Sequence, residues 1–140
     1  LGLSASDEQL VAVTEAGGDW ALAVEANGYL GVTEDAIVPL SAGTRLVSHF
    51  CNVNALDRFC WVEDGEIRTT FEPLFPSHRE GTAPDELLKP MRAAGFNLEG
   101  SNAENAPFSA FALAEHLTGV RVTAKLLRES HFQCGLAPIP

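Results

Sequence analysis

RFCWVEDGEIRTTFEP, at residues 58–73, has the pattern of a β-hairpin. Two runs rich in aromatic and β-branched residues flank Asp64-Gly65, a dipeptide that suits a two-residue turn because both positions tolerate a positive φ. Such a turn fixes which residues face each other across the two strands. The predicted pairs are Val62–Ile67, Cys60–Thr69 and Arg58–Phe71 on the first face, and Trp61–Arg68 and Phe59–Thr70 on the second.

The second face of this hairpin needs a cover. Phe59 and Trp61 are too large and apolar to stand together in water, and Arg68 is placed to lie over the indole ring. A helix, a partner or a ligand must shield them. A helix of the same chain is the preferred interpretation, because the nearby amphipathic segments also need a surface to pack on.

Before the hairpin, the pattern predicts two helices and three strands. A capping box at residues 6–9 predicts a first helix that ends at Gly17-Gly18. The elements that follow are a strand at Trp20–Val24, a turn at Asn27-Gly28, a returning strand at 29–32, a helix capped by Thr33 that ends at Leu40, and a strand at 44–52.

After the hairpin, helical patterns dominate. The predicted elements are a helix at 84–95 that contains Pro90, an amphipathic helix from Pro107 to Gly119, a short helix capped by Thr123, and a final strand within 131–140. This mixture predicts one α+β domain over residues 1–140. Its antiparallel meander sheet has about four to five strands, and helices pack mainly on one face.

Charge and composition narrow the function classes. The chain carries a formal net charge of −10, with 46% apolar and 20% charged residues, and its first basic residue is Arg45. Such a surface repels phosphate backbones and anionic lipids, so nucleic-acid and membrane partners are disfavoured. Solubility is the preferred interpretation of the acidic charge, and a basic protein partner is the alternative. The apolar runs are also too short to span a membrane. Three cysteines, an odd number, fit a reducing, cytoplasmic setting, with buried thiols preferred over a Cys51–Cys60 disulfide.

The stretches WALAVEANGYLG, LSAGTRLVSHFCNVNALDRFCWVEDGEIRTTFEPLFP, PDELLKPMRAAGF and LAEHLTGVRVTAKLL, taken together, resemble a family of small actinobacterial proteins known as a domain of unknown function. The resemblance covers most of the chain from Trp20 to Leu127. It implies a soluble cytoplasmic protein and carries no catalytic role.

No stretch has the spacing of a catalytic or metal site. His49, Cys51 and Cys60 could meet on neighbouring strands, and His131 and Cys134 form another pair, yet CxxC, HxxxH and HExxH spacings are missing from the sequence. A cysteine nucleophile needs an adjacent base and a lowered pKa, which a position inside a sheet does not favour. We therefore expect no metal and no cofactor, and assign no catalytic residue.

The stretch FALAEHLTGVRVTAKLLRES, at residues 111–130, has the outline of a helix-turn-helix. Arg121, Lys125 and Arg128 would line one side of its second helix, as a DNA reader requires. The second helix is short and the chain is acidic, so two core-packing helices are the preferred interpretation.

The loop NVNALDRF and its surroundings carry the favoured functional hypothesis, which is a non-catalytic interaction or regulatory module, accessory or immunity-like, that binds another protein. Self-association as a homodimer is one form of it. An alternative is a small-molecule binder or enzyme with a pocket between the sheet and the helix over Leu87 to Ala94, into which His49, Asn52, Arg68 and Glu72 would converge. The candidate binding residues are Phe59, Trp61, Arg68, Asn52, Asn54, His49 and Glu72.

Overall fold

The computed structural model describes residues 8–54, 56–100 and 105–140, which form an α+β fold. Seven strands within those ranges build two antiparallel sheets. The strands are β1 (Glu8–Gly17), β2 (Trp20–Val24), β3 (Arg45–Cys51), β4 (Asp57–Glu63), β5 (Glu66–Phe71), β6 (Arg79–Glu80) and β7 (Gln133–Pro138). The helices are α1 (Glu34–Leu40), α2 (Leu88–Ala93), α3 (Ala106–Thr118) and α4 (Ala124–Glu129), with a 3₁₀ helix at Leu30–Val32. The predicted α+β class with antiparallel pairing is confirmed, and the strands divide between two sheets rather than one meander.

The hairpin β4–β5 is the centre of a four-stranded sheet with the order β3-β4-β5-β6. Its turn is as predicted, with φ of 49° at Asp64 and 79° at Gly65. The predicted register holds only for the first two pairs beyond the turn, Glu63–Glu66 and Val62–Ile67. A bulge at Arg68 then shifts the pairing, so that the observed pairs are Val62–Ile67, Trp61–Thr69, Cys60–Thr70 and Phe59–Phe71. An extra residue in one strand has this effect, and turn chemistry alone does not reveal it.

Both faces of this sheet are covered by helices. On one face, Phe59 and Phe71 lie in a buried cluster with Met91 of α2 and Leu113 of α3. On the other face, Cys60 and Val62 pack against Ile37 of α1. Because the bulge moves Phe71 to the side of Phe59, each face presents apolar side chains to a helix. The question raised by the hairpin is answered: helices of the same chain cover its second face.

The segment predicted as the first helix is strand β1, so that prediction is wrong over the described residues; Ser6 and Asp7 of its capping box lie outside them. β1 pairs with β2 on one side and with β7 on the other. Gly17 and Gly18, with φ of 94° and 58°, turn the chain into β2. Gln9, expected to reach back to the cap, instead donates from its side-chain amide to the Ala26 carbonyl. Long-range pairing therefore overrides the local helix signal.

Residues 29–32 form no returning strand, and that prediction is also wrong. The Glu25 carboxylate accepts hydrogen bonds from the backbone N–H groups of Leu30 and Gly31, at 3.1 and 2.9 Å. These bonds attach the short 3₁₀ helix to Glu25, the residue that follows β2. The partner of β2 is β1 instead, joined through the preceding turn.

The other predicted helices occur with changes of boundary, and the Thr33 side chain, predicted to cap α1, donates instead to the Tyr29 carbonyl at 2.6 Å. α2 begins at Leu88 rather than Pro84, which places Pro90 in the first turn, where its missing N–H needs no partner. α3 ends at Gly119 in the left-handed conformation, and the Thr123 side chain caps α4 by accepting from the Leu126 N–H at 3.0 Å. Within the described part of the chain, the helices are all too short or too polar to cross a membrane.

Candidate functional site

The predicted aromatic residues mainly support the fold. Phe59 is fully buried, and Trp61 packs against the same cluster. The guanidinium carbon of Arg68 lies 5.8 Å from the centroid of the Trp61 ring, so the predicted cation–π contact is present. It arises from the bulge rather than from the predicted cross-strand pairing, and Arg68 also lies 3.8 Å from the Glu63 carboxylate. A binding surface centred on Phe59 is excluded by burial.

His49 and Asp57 form a buried polar pair. The His49 Nε2 atom lies 2.6 Å from Asp57 Oδ1, and the two side chains are 7% and 6% exposed. The imidazole also meets the ring of Phe111 on α3 edge-on, with centroids 5.2 Å apart. Since a buried polar pair of this kind fixes the ring orientation, it holds the end of β3 beneath α3.

Asn52 organises the loop between β3 and β4. Its Oδ1 accepts hydrogen bonds from the N–H groups of Asn54 and Leu56, each at 3.0 Å, so this side chain holds the turn. Asn54 contributes that backbone N–H, and Ala55 lies outside the described residues. Asp57, at the end of this loop, bonds to His49 rather than to a residue of the loop. The loop is therefore a locally closed structure at the sheet end.

Glu72 lies away from the other predicted site residues. It lines a surface cleft of about 340 Å³ with Arg58, Phe75, His78 and Glu80. His49 points toward α3 on the opposite side of the sheet, and Arg68 occupies the bulge. Buried Phe59, Phe71, Leu87 and Met91 also fill the space between sheet and α2. The expected convergence of His49, Asn52, Arg68 and Glu72 in a pocket at that place is wrong.

Cys51 and Cys60 have the properties of unactivated thiols. All three cysteines are free, with Cys60 buried and Cys51 and Cys134 exposed. Burial raises the pKa of the Cys60 thiol, and a hydrogen bond with Thr70 opposes that effect in part. Desolvation, and secondly the charge of Asp57, raise the pKa of Cys51. Since the thiolate is the nucleophile, both shifts oppose cysteine catalysis. No group of three or more His, Cys, Asp or Glu residues is arranged to hold a metal across residues 8–54, 56–100 and 105–140.

Two of the three basic residues of the helix-turn-helix alternative have acidic neighbours. Arg121 Nε lies 2.9 Å from the Glu115 carboxylate, and Lys125 Nζ lies 3.9 Å from that of Glu129. α4 has only six residues. A stripe whose charges are partly neutralised on the protein itself is poorly suited to a phosphate backbone.

An exposed apolar surface combines the predicted NVNALDRF loop with two phenylalanines of α3 that were not among the predicted binding residues. Phe108 and Phe111, one turn apart on α3, are 77% and 48% exposed, and Val53 and Leu56 of the β3–β4 loop are also exposed. The contact between Phe111 and His49, and the bond from His49 to Asp57 beside Leu56, bring the two segments to one end of the sheet. We call these four residues the α3–loop surface. In the sequence, both phenylalanines fall outside the apolar stripe of Ala110, Leu113, Ala114 and Leu117, which indicates that they do not face the core.

Comparisons with known proteins define the family of the chain. Neither the curated proteins nor the solved structures contain a match to it. The sequence model of one family, described as a family of unknown function (DUF6461), matches residues 3–140. Because this match covers nearly the whole sequence, the chain belongs to the DUF6461 family of unknown function.

Proposed function

We propose that this protein is a non-catalytic interaction module that binds another protein through the α3–loop surface. The observation that carries the proposal is the exposure of Phe108 and Phe111 on one helix face, at the same end of the sheet as the exposed Val53 and Leu56. Large contiguous apolar patches on a folded surface mark interaction sites, whereas single exposed apolar residues do not. Aromatic side chains are also enriched at the centres of protein interfaces.

The support beneath this surface favours binding without rearrangement. The edge-on contact of Phe111 with His49 and the hydrogen bond of His49 to Asp57 hold α3 against β3 and β4. The Asn52 side chain closes the loop that carries Val53 and Leu56. A surface ordered before binding loses less conformational entropy in the complex, so more of the contact energy remains as affinity.

Charge indicates what kind of partner fits. The chain carries a net charge of −10, so a basic protein approaches it faster and with less repulsion than an acidic one. We infer a partner with an apolar side chain at the centre of its surface and Lys or Arg residues around it. The three free thiols support a reducing compartment, and we place the interaction in the cytoplasm of an actinobacterial host.

Affinity capture with matched baits tests the proposal. The baits are the wild type, a Phe108→Ser/Phe111→Ser double variant, and Leu40→Ser as control, because Leu40 is exposed on α1 at a different face. We expect a basic protein that binds the wild type and the control, is lost from the double variant, and is released by raised salt. Recovery of the same proteins from all three folded baits would refute this location. Circular dichroism verifies that each bait is folded.

A further inference from the structure

The cleft that contains Glu72 lies on the sheet face opposite α2 and α3. Arg58 is adjacent in sequence to buried Phe59, so it points to the other side of β4, where Thr70 of β5 and Glu80 of β6 stand as a cross-strand pair. Glu72 follows directly after β5. Together with Phe75 and His78, the charged residues enclose about 340 Å³, a volume in the range of small-molecule sites.

Opposite charges share the walls of this cleft without neutralising each other. Arg58 has no carboxylate within 4.0 Å among the described residues, and its one side-chain hydrogen bond is a 3.4 Å contact with the Thr70 hydroxyl. Glu72 and Glu80 likewise have no cation at ion-pair distance in the part of the chain that the structure describes. A ligand with one negative and one positive group would complement both the guanidinium of Arg58 and the carboxylates of Glu72 and Glu80.

The loop that forms the far wall is firmly held. Buried Pro73 and Pro76 fix its backbone, and the Phe75 N–H donates to the Glu72 carbonyl at 2.8 Å. Arg79 donates to the carbonyls of Pro76 and Pro84, at 2.7 and 3.0 Å, and pairs with Asp85. Phe75 itself remains half exposed at the rim. The cleft therefore combines a firmly held wall, three charged side chains and one apolar contact surface.

We propose that this cleft binds a free α-amino acid with an apolar side chain. Arg58 would receive the carboxylate, Glu72 and Glu80 the ammonium group, and Phe75 the side chain. Charge-assisted hydrogen bonds at both ends of the ligand supply orientation, and the aromatic ring selects for apolar character. The cleft and the α3–loop surface lie on opposite sides of the sheet, so this inference does not rest on the proposed protein interaction.

An NMR titration of the full chain with L-leucine tests the inference. We expect saturable shifts of the backbone amide signals of Arg58, Phe75 and Glu80, with a Kd of about 1 mM or tighter. N-acetyl-L-leucine lacks the ammonium charge and L-leucine amide lacks the carboxylate, so each should bind about tenfold more weakly. No saturable shift with L-leucine, L-isoleucine or L-phenylalanine would overturn the proposal. Equal binding of either single-charge analogue would overturn it too.

Three variants localise the binding. Arg58→Gln and Glu80→Gln each remove one charge from an exposed position and should weaken L-leucine binding about tenfold. Arg92→Gln is the matched control, since Arg92 is an exposed residue of α2 that lies outside the cleft. We expect it to bind as the wild type does. A loss in Arg92→Gln as large as that in Arg58→Gln, or wild-type binding by both cleft variants, would refute the assignment.

Discussion

The imidazole of His49 contacts the carboxylate of Asp57 at 2.6 Å, diagonally across two neighbouring strands. Both side chains are almost fully shielded from water, because α3 lies over the imidazole. Removing one partner of a buried polar pair leaves the other without compensation for its lost hydration. Loss of either side chain should therefore destabilise the fold, including the α3–loop surface that the pair supports.

We expect Asp57→Ala to lower the free energy of unfolding by about 3 kcal/mol, because it leaves the buried imidazole unpaired. Asp19→Ala is the control, since Asp19 lies exposed in the turn before β2, and we expect a change within about 0.5 kcal/mol. Urea denaturation followed by circular dichroism gives both values. Equal stability of the two variants would contradict the role assigned to the pair.

Replacing Gly81 should destabilise the protein, because its backbone lies against the bulge in β5. Its φ is 118°, and a Cβ atom there would collide with the backbone carbonyl of Arg68. The following residues are held at that place by hydrogen bonds from the Thr82 N–H to the Ile67 carbonyl and from the Ala83 N–H to the Arg68 carbonyl. We expect Gly81→Ala to cost about 2–4 kcal/mol in thermal unfolding. Gly135→Ala, where a Cβ meets nothing within 4 Å, should change stability little.

Stability should fall in alkaline solution through Cys60. Burial raises the pKa of its thiol in the folded protein above the unfolded value near 9.0. The unfolded thiol therefore ionises first as the pH rises, and the free energy of unfolding decreases until the folded thiol also ionises. We expect a loss of at most about 1.4 kcal/mol per pH unit above about pH 9. Urea titrations of the wild type and Cys60→Ala at several pH values give the difference; parallel profiles would contradict the prediction.

Truncating Phe59 should lower the stability of the fold far more than truncating Phe108. Phe59→Ala opens a cavity in the core cluster and should cost about 3–5 kcal/mol. Phe108→Ala removes an exposed ring and should alter stability by less than about 0.5 kcal/mol. Chemical denaturation compares the two directly. A large loss from Phe108→Ala would show that this residue supports the fold rather than a partner.

Local signals predicted the elements that depend on neighbours in sequence. The Asp64-Gly65 turn, the helix that follows Thr33, the left-handed Gly119 and the Thr123 cap all occur where the pattern indicates. Each of these features is decided within about four residues by backbone preference or capping.

Elements decided by distant partners were predicted poorly. The segment of β1 resembles a capped helix locally, but it is a strand because β7 pairs with it from the other end of the described chain. The bulge at Arg68 could not be predicted from the hairpin sequence either. The segment that packs against the Arg68 carbonyl contains Gly81, which lies outside the hairpin. Propensity is a weak prior when tertiary pairing opposes it.

The candidate site was predicted only in part. Asn52 and His49 lie beside the α3–loop surface, and Glu72 lines the cleft, whereas Phe59 and Trp61 belong to helix packing. Aromatic character alone does not tell a core residue from an interface residue. For Phe108 and Phe111, the informative feature was their position outside the apolar stripe of their own helix.

The order of synthesis leaves β1 without one of its two partner strands for a time. β1 and β2 are synthesised about 110 residues before β7 and can pair as a hairpin without it. Until then, one edge of β1 offers unsatisfied backbone groups to any extended strand. The β7 segment of a neighbouring copy has the right sequence to fill that edge. We therefore expect exchange of β7 between copies to be a route of misassembly at high concentration.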